Sequence, residues 1–131
     1  MTVYVDTSVL FSLLDKDDAD HEALVRTWET MGSDVILTTT NYILVETLAV
    51  CQRRLGLSAT RLLENDFAPI LNIEWVDREL HEAGIAMLLA ANRRDLSLVD
   101  CVSFETMRRL GIRHAFALDE HFREQGFEVV P

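Results

Sequence analysis

A three-layer α/β/α sandwich around a mostly parallel central sheet is the fold class predicted by this sequence. Two observations carry the prediction. Short β-rich apolar runs alternate with longer segments of helical periodicity, and strands joined through helices pair in parallel. The length of 131 residues, with 49% apolar content and only five Gly and two Pro, fits one packed domain spanning 1–131. In parallel sheets ligands bind beyond the carboxyl ends of the strands, so residues just past each run are the ones to inspect.

TVYV (2–5) is the first strand; it stops at Asp6, and Thr7, Ser8 and the helix-like VLFSLLD follow. DKDDADHEALVRTWETM opens with acids and continues with Ala23, Leu24, Trp28 and Met31 at helical spacing, which starts a helix near Ala19 or Asp20. The acids there suit a helix N-terminus, whose dipole favours negative charge. VILTT (35–39) is the second strand, and TTN supplies capping residues for the helix YILVETLAVCQRR. Gly56 closes that helix, and Ser58 is placed to cap ATRLLENDF, which runs toward Pro69. NIEWV (72–76) is the third strand. DRELHEAGIAMLLAANRR then carries Leu80, Ala83, Gly84, Met87, Leu88 and Ala91 along one face, with Ile85 and Leu89 widening the stripe. A core face explains that stripe, and its width also suits a subunit or partner. SLVDCVSFETMRRLG is a capped helix ending at Gly111, HAFAL the fourth strand, DEHFREQG a short helical turn and FEVV the last strand. No repeat, linker or low-complexity segment interrupts the pattern.

Charge and composition exclude several classes. No apolar run approaches the roughly 20 residues of a membrane span, and the N-terminus lacks a basic region of the signal-peptide kind, so a cytoplasmic protein without membrane contact is expected. Cys51 and Cys101 show no metal or redox spacing and read as reduced core residues. With 22 acidic against 12 basic residues, the net charge of −10 repels polyanions. A nucleic-acid partner therefore needs local positive charge. Lys16 is the only lysine, so arginines such as Arg53, Arg54, Arg93 and Arg94 are the candidates for holding phosphates.

Four acids fall where that charge would be required. Asp6 and Asp119 follow the first and fourth strands, and Asp100 lies in the first turn of the helix capped by Ser97. Glu46 sits roughly two turns into the helix after the second strand, among Ile43, Leu44, Val45, Leu48, Ala49 and Val50, where an unpaired carboxylate is costly. Each has a purely structural reading: Asp6 and Asp119 as caps, Asp100 as one half of a capping box with Ser97, and Glu46 paired with a distant arginine. Together they point elsewhere. Two carboxylates roughly 5 Å apart repel by about 3 kcal/mol at an effective dielectric near 20, so four converging acids call for protons or cations. An all-oxygen set without His or Cys suits Mg²⁺ or Mn²⁺, which polarise a phosphodiester and generate hydroxide from bound water.

VYVDTSVL, NYILVETLAV, LSLVDCVSF and FALDEHF, in that order and over nearly the whole chain, resemble the PIN-domain ribonucleases, in particular the single-domain VapC-type toxins of toxin–antitoxin pairs. The resemblance implies Asp6, Glu46 and Asp100 as the principal metal-binding and catalytic acids, with Asp119 completing the pocket. It gives Thr7 and Ser8 the role of orienting metal water or the Asp6 carboxylate, and Ser97 that of capping the Asp100 helix. His121 and Phe122 match a His-Phe pair after the last acid, and His21 a histidine of the early acidic stretch, where packing explains it. The sequence departs at Ala117, where the family often has Thr or Ser, which makes Asp119 the least secure of the four. What the resemblance further implies is a Mg²⁺- or Mn²⁺-dependent endoribonuclease, homodimeric, acting on RNA and held inactive by a cognate antitoxin. The alternatives are a solitary PIN nuclease outside a toxin–antitoxin system and a catalytically silent PIN-like RNA-binding module. Phosphotransfer domains also gather acids at strand ends, but they need a lysine at the phosphoryl group, and D-T-S replaces the D-x-D of the phosphatases.

Overall fold

The computed structural model describes residues 1–131, in the element order β1 (Thr2–Val5), α1 (Thr7–Leu14), α2 (His21–Thr30), β2 (Ile36–Thr40), α3 (Asn41–Arg54), α4 (Leu57–Leu62), β3 (Asn72–Glu74), α5 (Arg78–Ala91), α6 (Leu98–Leu110), β4 (His114–Phe116), α7 (His121–Glu124) and β5 (Glu128–Val130). The five strands pair in the order β3-β2-β1-β4-β5, every neighbouring pair parallel. The sheet is thus wholly parallel, the α/β architecture expected from the alternation of strands and helices.

Strand order follows burial. Val3, Tyr4 and Val5 of β1 are all 0% exposed, as a central strand covered on both faces must be, whereas β3 and β5 at the edges are only three residues long and partly exposed. β2 is less apolar, ending in three buried threonines. Thr39 Oγ1 donates to Val5 O at 2.8 Å, and Thr40 Oγ1 accepts from Ile43 N at 3.3 Å as the N-cap of α3. Eighteen buried residues form one hydrophobic cluster, with Phe104, Phe116 and Phe122 among its fully buried side chains.

Several sequence expectations need correcting. Ser58 does not cap the fourth helix: Gly56, at φ 92°, occupies the cap position and Ser58 lies inside the first turn. After Leu62 the segment continues as a π-turn over Leu63–Phe67 and a short 3₁₀ turn over Ala68–Ile70, because Pro69 cannot extend an α-helix. The stripe on α5 is narrower than its sequence suggests. Leu80 and Gly84 are buried against α6, but Leu89 is 72% exposed.

The order of strands creates one switch point. From β1 the chain builds outward through β2 and β3, then returns to the other side of β1 to lay down β4 and β5. Connections leaving β1 and β4 run in opposite directions, which opens a crevice at their carboxyl ends. Asp6 N–H reaches across it to Phe116 O at 3.0 Å.

Candidate active site

Asp6 follows β1 directly and is 4% exposed. It is the N-cap of α1, as the structural reading allowed: its Oδ2 accepts the Ser8 backbone N–H at 3.2 Å and the Ser8 hydroxyl at 2.6 Å. Those bonds favour the ionised form, yet burial outweighs them, and with the charges of Asp119 and Asp100 it raises the Asp6 pKa from an ordinary 3.8 to about 7. A caps-only role does not explain a carboxyl that costs this much to ionise.

Asp119 lies three residues past β4 and is half-buried. Its Oδ1 accepts the His121 N–H at 3.1 Å, a turn bond of the kind its structural reading allowed. Burial raises its pKa, the His121 bond opposes the rise, and the Asp100 charge adds to it. Asp100 forms the capping box: Ser97 Oγ accepts from Asp100 N at 3.0 Å, and Asp100 Oδ2 accepts from Ser97 N at 3.1 Å. Three aspartates, two just past strands β1 and β4 and one in the first turn of α6, therefore share one electrostatic field at the crevice.

Glu46 stands slightly apart. Helix α3 buries Ile43, Thr47 and Cys51 while Val45 and Ala49 face solvent, so Glu46 is half-buried rather than enclosed by apolar side chains. It lines a groove with Val99, the residue before Asp100. Thr47 Oγ1 donates to Thr7 Oγ1 at 3.3 Å, which ties α3 to the turn after Asp6. Thr7 thus joins two helices instead of touching the carboxylate, and Ser8 alone orients Asp6.

None of Asp6, Glu46, Asp100 and Asp119 has an arginine, lysine or histidine within ion-pair distance. The distant arginine that would have neutralised Glu46 is absent. No three His, Cys, Asp or Glu side chains close into a ready-made metal cage. Ionised carboxylates with no cation between them repel, so a preformed cage is not expected of the bare chain. The donor set is all oxygen, and a carboxyl at its centre is neutralised near pH 7 by a proton where a dication would serve equally; these residues fit a hard divalent ion.

The surrounding residues sort differently. Ala117 is buried, and no hydroxyl stands at its position; Ser8 Oγ instead accepts the Leu118 N–H at 3.1 Å, linking the loop after β4 to Asp6. His121 is half-buried and its Nδ1 has no hydrogen-bond partner, while Phe122 is a core residue packed on Phe104 with ring centroids 5.0 Å apart. His21 Nδ1 meets Ser12 O at 2.8 Å, a packing role as expected. Arg93 is bound to Asp95 and Glu124, so it is not a free phosphate ligand, and Arg54 lies 4.8 Å over the Phe11 ring. Asn41 and Tyr42, which line the groove beside Glu46, and His81, which bonds the Tyr42 hydroxyl, escaped sequence reasoning because α3 and α5 are distant in the chain and no local spacing marks the contact.

Known proteins share this fold. Residues 3–128 match the PIN domain. The chain is 33% identical over 131 residues to the 23S rRNA-specific endonuclease VapC20 of Mycobacterium tuberculosis, covering 98% of each chain. The crystal structure of that protein, described as a sarcin–ricin-loop-cleaving toxin, superposes with a TM-score of 0.87 at 31% identity over 95% of each chain. FitAcB from Neisseria gonorrhoeae shares the fold, with a TM-score of 0.71 at 15% identity over 100% of this chain and 97% of the other. With its all-parallel sheet, its acids at the β1/β4 crevice and a family match over almost its full length, the chain belongs to the PIN-domain family.

Proposed function

We propose that this protein is a metal-dependent endoribonuclease acting as the toxin of a toxin–antitoxin pair. The observation that carries it is Asp6, a buried carboxylate without a cationic partner, flanked by Asp100 and Asp119. Asp6, Asp100, Asp119 and Glu46 would hold Mg²⁺ or Mn²⁺. When bound, such an ion supplies the positive charge that polarises a phosphodiester and lowers the pKa of attached water. The chain's own residues set the stage: Ser8 fixes Asp6 Oδ2, the Ser97 box fixes Asp100, and the His121 N–H fixes Asp119.

The acidic surface requires that charge to approach RNA, since −10 overall repels phosphate. Ribosomal RNA is the first substrate class to try, because the relative VapC20 is named for 23S rRNA. An antitoxin and a second copy of the chain are the expected partners, and the cytoplasm the expected compartment; no helix is long and apolar enough to cross a membrane.

The test is cleavage of purified ribosomal and transfer RNA by the full chain with Mg²⁺, with Mn²⁺ and with EDTA, beside Asp6→Asn. Cuts that need the dication and vanish in the variant support a nuclease. Equal cutting by both proteins, or none by either, removes the enzyme reading in favour of a silent RNA-binding module.

A further inference from the structure

The carboxylates account for the phosphate of an RNA substrate and leave its bases without a seat. Beside them lies a groove of about 390 Å³ between α3 and α6, lined by Asn41, Tyr42, Val45, Glu46 and Val99. Two of these residues join it to the acid site, since Glu46 is one of the candidate acids and Val99 precedes Asp100. It contains no lysine or arginine, and its only charge is a carboxylate. A phosphate is repelled there, whereas a flat, uncharged base is not.

The walls suit such an occupant. The Tyr42 hydroxyl is hydrogen bonded to Nδ1 of His81 on α5, and the two rings meet edge to face with centroids 5.9 Å apart, so the aromatic plane is held in place. Val45 is 65% exposed, an apolar side chain that the rest of the chain leaves uncovered. Asn41 Oδ1 accepts the Val76 N–H at 2.7 Å, which orients the amide and leaves its Nδ2 donors for a ligand. The volume falls within the about 300–1,000 Å³ typical of small-ligand sites.

We propose that this groove seats the nucleobase adjoining the scissile phosphate, with Tyr42 as stacking platform, Val45 and Val99 as apolar wall and the Asn41 amide as donor to the base edge. The seat rests on the nuclease reading and extends it to single-stranded RNA, whose unpaired bases are bound by stacking on aromatic side chains and by hydrogen bonds to their edges. His81 is a positioning residue: it touches Tyr42, not the base.

The test uses the full chain with Asp6→Asn, which blocks cleavage, and short single-stranded oligoribonucleotides carrying one 2-aminopurine, whose fluorescence falls on stacking. Quenching on binding is expected, and both Tyr42→Leu and the surface change Val45→Glu weaken affinity about tenfold, the scale of one stacked base. With an abasic residue at the same position, variants and parent bind alike. Affinity and quenching untouched by both changes would overturn the seat, as would a shift from dimer to monomer with RNA affinity unchanged, which assigns the groove to a second copy. The two readings separate cleanly. Base-dependent binding in a protein whose wild type cuts no RNA keeps the seat and sinks the nuclease; cutting by Tyr42→Leu and Val45→Glu with wild-type KM on intact and abasic RNA keeps the nuclease and sinks the seat.

Discussion

Ser8 donates its hydroxyl and its backbone N–H to the same atom, Oδ2 of Asp6, while its oxygen accepts the N–H of Leu118. One side chain therefore orients the central carboxylate and locks the loop that carries Asp119. Asp6 Oδ1 makes no hydrogen bond within the protein, which leaves it for a ligand.

Ser8→Ala should cost about 1–2 kcal/mol of stability, because it deletes one bond to a buried carboxylate and leaves the Leu118 N–H without its partner. Losing the hydroxyl also removes an influence that lowers the Asp6 pKa. Denaturant unfolding of the two proteins measures the cost, and equal midpoints would contradict it.

Asp6 makes the metal-free protein sensitive to pH. The folded chain holds this proton up to about 7 and the unfolded chain only up to about 3.8, so across that window the fold binds more protons and stability falls as pH rises. The contribution is fully present below the unfolded value and gone above the folded one. By about 1.4 kcal/mol per pKa unit it is on the order of 4 kcal/mol. Asp6→Asn should flatten the profile between about pH 4 and about pH 7 in unfolding measurements with EDTA present. A variant that keeps the wild-type slope would show that Asp6 is not its source.

Gly84 holds α5 against α6. A Cβ built there falls 2.5 Å from Val102 Cγ2, too close without a shift. Gly84→Ala should destabilise the protein by about 1–3 kcal/mol despite alanine's better helix propensity. A rise in Tm would mean that the interface yields easily.

Ser97→Ala removes the acceptor for the Asp100 N–H and should cost about 1 kcal/mol, read by thermal or denaturant unfolding. Because Asp100 keeps its bond from the backbone N–H of residue 97, RNA cleavage should fall far less than in Asp100→Asn. An equal loss of cleavage would make Ser97 more than a cap.

Much of this was legible in the sequence, for reasons that differ by residue. Asp6 announced itself because TVYV is an uninterrupted β-run with an acid at its end, and the Ser97/Asp100 box has a fixed local spacing. Glu46 was found by its apolar neighbours, yet those neighbours mislead about burial: Val45 and Ala49 face outward, so the helix does not enclose it. What stayed hidden depends on contacts between distant segments. Thr7 meets Thr47, Tyr42 meets His81, and Arg93 is captured by Glu124 across 31 positions; no periodicity encodes such pairs. Ser58 failed as a cap because Gly56 reaches a positive φ that lets the chain turn earlier.

Mn²⁺ titration of the full chain, followed by calorimetry at neutral pH, reads most directly whether unpaired acids at the β1/β4 crevice hold a dication. Wild type should take up the ion with release of protons and a rise in Tm, and Asp6→Asn and Asp100→Asn should each lose most of that affinity. Wild type and both variants binding Mn²⁺ equally, or none of them binding it, would contradict the assignment of these carboxylates as the metal site.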